Sequence, residues 1–308
     1  MNKCKHAILT VLFSGLVAMG ATRTEGIEPR FLEDIQLTLK VPESVARVTD
    51  AYWPDTKICP DYFLIQDVHR HPHVQVQIAA LIEQGYRQWG IRKVFMEGAF
   101  TGVDLSVFHR VPKKTQSYLL ERLVMDGSLS GPELAAVHIM ENEWQNPPVS
   151  PFQLFGLEDP QLYRQNVLAY QSVVQSRDRA LQALVPIRRL QETMHLSQPA
   201  MMEQLDRTEA LLRLKLTPCE YEAYLKGRAS VPSTPDIDPA VHAAEKFYEL
   251  AQARSQVFLN TAADKVPASA APRILVVGGV SYGLYGGCFT ECWANLYHFD
   301  SHRYGASR

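Results

Sequence analysis

The sequence predicts an α/β domain in which helices flank a core sheet of parallel strands. This prediction rests on the pattern of apolar residues and on the way that strand–helix–strand units pair. Short apolar runs of strand length alternate with longer segments in which apolar residues recur every three or four positions, as they do in amphipathic helices. A strand, a helix and a second strand in succession form a crossover unit, and such a unit places its two strands parallel in one sheet.

The first crossover unit begins with an apolar strand at residues 62–65. Pro72 then opens a helical pattern, because proline is favoured at the first position of a helix. The pattern ends at Gly90. Residues 93–96 form the second strand, which stops at Glu97.

Two further strands follow, separated by helical segments. Residues 113–140 indicate two short helices, broken at Gly127 and at Gly131. Residues 152–156 form the third strand, and the apolar residues 274–277 form the fourth.

A long helical segment precedes the last strand. Asp159 followed by Pro160 is a good N-cap and first residue for a helix. The helical pattern then continues, with breaks near Pro199, near Pro218 and over residues 229–239, and we predict a large all-helical insertion. The predicted segments are a signal peptide (1–21), an amino-terminal arm (22–61), the first part of the α/β domain (62–160), the helical insertion (161–265) and the last strand with an atypical tail (273–308).

The first 21 residues have the pattern of a secretory signal peptide. Lys3 and Lys5 precede an apolar run over residues 7–17, and small residues follow as far as Ala21, where we expect cleavage. A membrane anchor is the less favoured alternative, because a helix needs about 20 apolar residues to span a bilayer. We therefore expect an exported protein, periplasmic or secreted, with no stable membrane span after the signal is removed.

The charge of the chain argues against nucleic acid as a partner. Its 31 basic and 33 acidic residues nearly balance, and they form no long basic stripe that would neutralise phosphates. A small-molecule or peptide substrate is the expected partner.

Polar residues or glycines follow each predicted strand. They are Asp67 and His69 after the first strand, Glu97 after the second, Glu158 after the third, and Gly278 with Gly279 after the fourth. Ligands bind at the carboxyl ends of the strands in open parallel sheets, so these residues predict a site. A cap for the next helix is the alternative role. We favour the cap for Asp159, whereas Glu97 precedes a glycine and a loop, which favours a site role.

Three histidines alternate before the first helix. In extended backbone His69 and His73 would face one way and His71 the other, so the three do not easily share one ion. We predict His69 and Glu97 as ligands of a divalent metal or as groups that activate water without one. Further predicted roles are catalytic orientation for Asp67 and ligand binding for His73, Glu158, Gly278 and Gly279.

Several short motifs at these positions also form a set. They are Ile-Gln-Asp-Val-His at 65–69, Gln75 in a helix that begins near Pro72, Glu97 at a strand end, and Val-Val-Gly-Gly at 276–279. This set resembles the TraB/Tiki, ChaN-like and erythromycin-esterase-like superfamily, over roughly residues 60–170 and 273–280. The resemblance implies His69 and Glu97 as site residues. It also implies one of three activities: metal-dependent proteolysis as in Tiki-like members, hydrolysis as in erythromycin-esterase-like members, or haem binding as in ChaN-like members.

The sequence departs from the family pattern at two places. Gln66 stands where a glycine or glutamate is common, and no histidine follows Gly279. Codons that encode Val-Ser-Tyr-Gly at 280–283 can read Phe-His-Thr after a one-base shift, which would restore Gly-Gly-Phe-His-Thr. We hypothesise that residues from about Val280 onward are out of the native reading frame.

The tail holds two further motifs that we consider weaker. Ser281 lies in a Gly-x-Ser-x-Gly pattern, but too few residues remain for the acid and histidine of a hydrolase triad. Cys288 and Cys292 precede His298 and His302 at a spacing too short for a usual zinc finger.

The leading prediction is hydrolysis of an ester or peptide-type bond at the His69 and Glu97 site. The alternatives are a haem-binding or metal-binding module without catalysis, and a degenerate, inactive member.

Overall fold

The computed structural model describes residues 8–12, 33, 36–37, 40–42, 45–52, 62–67, 71–193, 199–264 and 272–278. The strands are β1 (Ile8–Leu12), β2 (Arg47–Tyr52), β3 (Tyr62–Asp67), β4 (Lys93–Met96), β5 (Gln153–Gly156) and β6 (Arg273–Gly278). The α-helices are α1 (Pro72–Gln88), α2 (Lys113–Met125), α3 (Gly131–Gln145), α4 (Pro160–Thr193), α5 (Pro199–Leu212), α6 (Pro218–Lys226) and α7 (Asp238–Asp264). Short 3₁₀ helices cover Ser106–Arg110 and Arg228–Ser230.

The six strands form one sheet in the order β2-β1-β3-β6-β4-β5. The four strands that the sequence predicts, β3 to β6, are parallel to one another, which confirms the α/β class. Every residue of β6 is buried, and five of the six in β3 are buried. Continuous burial of this kind is typical of parallel strands, because both faces of the sheet are covered.

β1 and β2 extend the sheet on the β3 side. β1 pairs in parallel with β3 and antiparallel with β2. It lies inside residues 1–21, for which a signal peptide stays a prediction, and cleavage at Ala21 would remove this strand. β2 lies in the predicted arm, where Gln36 accepts from Val48 N at 2.7 Å and donates to Ala46 O at 2.7 Å. These hydrogen bonds tie Gln36 to the residues around the start of β2.

The helix after β3 forms as its sequence predicts. Pro72 is its first residue and Gly90, with φ of +68°, follows its end in a conformation that favours glycine. The buried face repeats at helical spacing through Val74, Ile78 and Ile82. α1 and α3 pack in one apolar core with the sheet.

The next two helices refine the prediction for residues 113–140. Gly127, with φ of +76°, follows the end of α2. Gly131 is the first residue of α3, which begins with a capping box between Ser130 and Glu133. α3 then continues to Gln145, beyond the predicted limit.

Residues Glu158–Leu259 form a second compact unit made of helices. Asp159 caps its first helix, because its Oδ1 accepts from Gln161 N at 2.9 Å and Leu162 N at 2.8 Å, and this confirms the predicted cap. The breaks predicted near Pro199 and Pro218 coincide with the starts of α5 and α6. In the interior of this unit, the rings of Tyr221 and Tyr248 stack 4.6 Å apart.

Among the described residues, no helix combines the length and apolar character that crossing a membrane requires.

A hydrogen-bonded contact links α1 to α3 at the surface. His138 Nδ1 lies 2.8 Å from Glu83 Oε1, and Arg87 Nη1 donates to Glu83 Oε2 at 3.2 Å. Burial raises the pKa of Glu83, but the hydrogen bonds and charges of His138 and Arg87 lower it more, so the pKa lies below its ordinary value. The folded state thus favours the ionised carboxylate.

We expect His138→Ala to weaken the fold in a pH-dependent way. A carboxyl group with a lowered folded pKa stabilises above its ordinary pKa of about 4.3, and this contribution is lost as the pH falls through the folded pKa. The difference in free energy of unfolding between wild type and variant should therefore shrink through the acid range in urea titrations. His242→Ala, at an exposed histidine of α7, is the control. A difference that stays constant into acid would contradict this role for Glu83.

Candidate functional site

Three predicted site residues lie on one edge of the sheet. Asp67 ends β3 and is paired in register with Gly278, which ends β6. Glu97 directly follows β4, and its N–H donates to Val276 O of β6 at 2.9 Å. Adjacent strands are about 4.8 Å apart, so the backbones at Asp67 and Glu97 are separated by about two strand spacings. The structure thus brings Asp67, Glu97 and Gly278 to the carboxyl edge of three neighbouring strands.

The side chain of Glu97 is held by the end of β6. Gly278 N–H donates to Glu97 Oε2 at 2.6 Å, and this contact joins the two strand ends beyond their backbone ladder. Hydrogen bonds to an ionised acceptor are short and strong, so the contact holds the carboxylate in one orientation. Glu97 remains half-buried and is accessible from solvent.

The loop after Glu97 is fixed against β5. Gly98 has a φ of +87° and turns the chain immediately after the carboxylate. Thr101 O accepts from Gly156 N at 2.8 Å, and Val103 N donates to Leu154 O at 2.9 Å. A Cβ at Gly156 would lie 2.1 Å from the carbonyl of Ala99, so only glycine lets the loop approach β5 this closely.

A buried glutamine, Gln75, positions Asp67. From the sequence alone, Gln75 was identified only as part of a motif. Gln75 Nε2 donates to Asp67 Oδ1 at 2.5 Å, and Gln75 Oε1 accepts from Gly131 N at 2.6 Å. Asp67 and Gln75 are 5% and 2% exposed. Since the amide gives its N–H to a carboxylate and its oxygen to a backbone N–H, both partners fix the same orientation. Gln75 therefore connects the end of β3 to the start of α3.

The close approach of α1 to α3 depends on Gly131. A Cβ at this position would lie 2.4 Å from Gln75 O and 2.7 Å from Ile78 Cβ. The sequence marked Gly131 as a helix break. In the structure it begins α3 and lets the backbone N–H reach Gln75.

The predicted histidines are only partly described. His71 is the N-cap residue of α1 and His73 lies in its first turn; both are exposed, and their rings are 6.3 Å apart. His73 is thus on a helix rather than in extended backbone, which corrects the geometry assumed for it. His69 and Gly279 lie outside the described residues, and so does the tail from Val280, so the roles predicted for them stay predictions.

Glu158 belongs to the helical unit, where it forms a buried ion pair. Arg254 Nε donates to Glu158 Oε2 at 3.1 Å and Arg254 Nη2 donates to Glu158 Oε1 at 2.5 Å. Arg254 Nη1 also donates to Asn166 Oδ1 at 2.9 Å. Removing one partner of a buried bidentate ion pair strongly destabilises a protein, because the other charge is left buried without compensation. The ligand-binding role predicted for Glu158 stays a prediction, beside this structural one.

The sequence carried a signal for Arg254 that could have been used. Phe247, Ala251 and Phe258 repeat at helical spacing on α7, and Arg254 falls on the same buried face. An arginine within an apolar stripe needs a buried carboxylate.

Among the described residues, no group of three His, Cys, Asp or Glu side chains could hold a metal ion. Asp67 and Glu97 contribute two carboxylates to the edge, and the predicted ligand His69 lies outside this part of the chain. Comparison of the sequence and structure with family models, curated proteins and solved structures found no match.

We expect Gly156→Ala to destabilise the protein, because its methyl group would overlap the Ala99 carbonyl and displace the loop after Glu97. Overpacking of this kind costs about 1–3 kcal/mol of unfolding free energy. Gly102→Ala is the matched control in the same loop, where an added Cβ meets no atom within 4 Å. Urea unfolding should separate the two variants, and equal stabilities would contradict the close packing at Gly156.

Proposed function

We propose that this protein is an exported hydrolase that cleaves an ester or peptide-type bond at the carboxyl edge of its parallel sheet. The observation that carries the proposal is the carboxylate of Glu97. It is held by Gly278 N–H at 2.6 Å and lies on the same edge as the buried carboxylate of Asp67. A fixed, solvent-accessible carboxylate in such a position is suited to acid–base chemistry.

Each residue has a distinct role in this proposal. Glu97 accepts a proton from the attacking water, because its carboxylate is held in place and reaches solvent. Asp67 orients the reacting groups, and Gln75 keeps the Asp67 carboxylate in a single orientation. The Gly278 N–H donates to Glu97 and keeps its carboxylate in place during the reaction. His69 completes the site in the segment between β3 and α1.

A divalent metal fits the chemistry of these donors. Glu97 and His69 would hold it, since carboxylate oxygen and imidazole nitrogen are ligands for zinc and related ions. A bound metal would lower the pKa of its water and supply a nucleophile. The proposal in its metal-free form keeps Glu97 as the general base.

We also propose that the helical unit is an insertion into the family's α/β core. Along the chain, helices α4 to α7 come after the third predicted strand and before the fourth. The chain then returns to the sheet as β6. Together with the motifs at residues 65–69 and at Glu97, this arrangement supports the proposed relation to the TraB/Tiki, ChaN-like and erythromycin-esterase-like superfamily.

We expect Glu97→Gln to reduce hydrolysis by about a hundredfold or more, because a general base contributes about 10²–10⁴ in rate. The measurement is turnover of p-nitrophenyl esters and of a fluorogenic peptide, with and without added Zn²⁺ or Mn²⁺. Loss of turnover on chelation, with recovery on adding the ion, would support the metal-dependent form.

Matched variants separate a catalytic role from a change in folding. Glu121→Gln neutralises an exposed carboxylate of α2, and His71→Ala removes a neighbouring exposed histidine; both should keep full turnover. His69→Ala should lose turnover while its thermal unfolding stays that of the wild type. Full activity in Glu97→Gln would falsify the proposal.

The exposed ring pair of His71 and His73 favours one second candidate, a haem-binding or metal-binding module without catalysis. Imidazoles 6.3 Å apart at the start of α1 present two ligands to solvent. Haem titration should then give a Soret band that His71→Ala and His73→Ala weaken, in a protein without hydrolytic turnover. The third candidate is an inactive member, which applies if the gene confirms the printed reading frame after Gly279.

A further inference from the structure

A second surface feature lies apart from the carboxyl edge of the sheet. A cleft of about 200 Å³ is formed by the 3₁₀ helix Ser106–Arg110, the start of α2 and the end of α3. Its lining residues are His109, Val111, Lys113, Gln116, Glu141, Trp144 and Gln145. Trp144 is separated from Gly131, the residue that contacts Gln75, by almost the whole of α3. At 1.5 Å per residue this corresponds to about 20 Å.

The main apolar element of this cleft is the indole of Trp144. It is 67% exposed, although tryptophan is a residue that proteins usually bury for the most part. The ring of His109 lies 4.4 Å from it and is tilted by 38°. An exposed aromatic ring beside polar side chains is a surface that can take a ligand with an apolar face and a polar rim.

The cleft is anchored to the core through the residue that precedes Trp144. Glu143 is buried, and its two oxygens accept from Phe152 N at 3.0 and 2.9 Å. Its Oε1 also accepts from Tyr86 O–H at 2.9 Å. These hydrogen bonds tie the end of α3, next to Trp144, to Tyr86 of α1 and to the residue that precedes β5.

The polar groups of the cleft favour a neutral ligand. Lys113 and Glu141 both line the cleft and form an ion pair with each other, so their opposite charges offset and the cleft carries no large net charge from this pair. Gln116 also lines the cleft and is 4% exposed, and its Nε2 donates to Phe108 O at 3.3 Å. Among the described residues, none donates to Gln116 Oε1. An amide oxygen of this kind can accept a hydrogen bond from a hydroxyl group.

We propose that this cleft binds a neutral hexopyranose unit of a carbohydrate. One face of a pyranose ring carries C–H groups that can lie on the indole of Trp144, and its hydroxyls can bond to Gln116, Gln145 and the Lys113–Glu141 pair. The volume suits a single sugar ring, since pockets for drug-sized ligands are larger, at about 300–1,000 Å³. This site is independent of the proposed hydrolytic site. A glycan bound here would be held on the part of the protein that contains the parallel sheet.

The test is saturation-transfer NMR on the full chain, with methyl β-D-glucopyranoside and methyl β-D-galactopyranoside as probes. Sorbitol is the matched control ligand, because it carries similar hydroxyls but has no ring face. We expect transfer to the ring protons of at least one glycoside and none to sorbitol. Trp144→Ala should reduce this transfer at least tenfold while its thermal unfolding stays that of the wild type.

Tyr118→Ala is the matched control variant, because Tyr118 is an equally exposed aromatic residue, 65% exposed, on α2 outside the cleft. It should keep the full transfer. The proposal is overturned if neither glycoside gives transfer, if Trp144→Ala retains it, or if sorbitol gives as much as the glycosides. Hydrolytic turnover in Trp144→Ala should equal that of the wild type on p-nitrophenyl esters, so the two proposals fail separately.

Discussion

The central position of β6 is the constraint on which the sheet and its candidate site depend. β6 comes late in the chain, yet it pairs with both β3 and β4 and separates them. The parallel sheet therefore forms only when a distant segment returns, and such long-range pairing is slow because loop closure precedes the contacts. The site has the same dependence, since Gly278 is the register partner of Asp67 and the donor to Glu97.

Close backbone approaches complete the geometry around this edge. Gly156 lets the loop after Glu97 lie on β5, and Gly131 lets the start of α3 contact α1. Gln75 then ties the end of β3 to α3 through two buried hydrogen bonds. Buried polar groups are costly when left unpaired, so these contacts specify one arrangement of strands and helices. These contacts position the Asp67 carboxylate and the loop that follows Glu97.

Much of this architecture could be predicted from the sequence, because its signals are local. The apolar runs gave β3 to β6 and their parallel direction, and Asp159 was recognised as a cap from its neighbour Pro160. β1 was missed because an apolar run after lysines fits both a strand and a signal peptide. The order of the strands depends on tertiary contacts, and so does the choice of Glu158 as the carboxylate that pairs with Arg254. The periodic pattern of a helix specifies neither of them.

The most direct test of this account is the NMR chemical shift of the Gly278 amide proton in the wild type and in Glu97→Gln. A short hydrogen bond to an ionised carboxylate moves the resonance far downfield. We expect a downfield Gly278 amide in the wild type that moves upfield in Glu97→Gln, because the neutral amide is a weaker acceptor than the carboxylate. A Gly278 amide resonance that is the same in both proteins would contradict the contact between β6 and Glu97, and with it the proposed site.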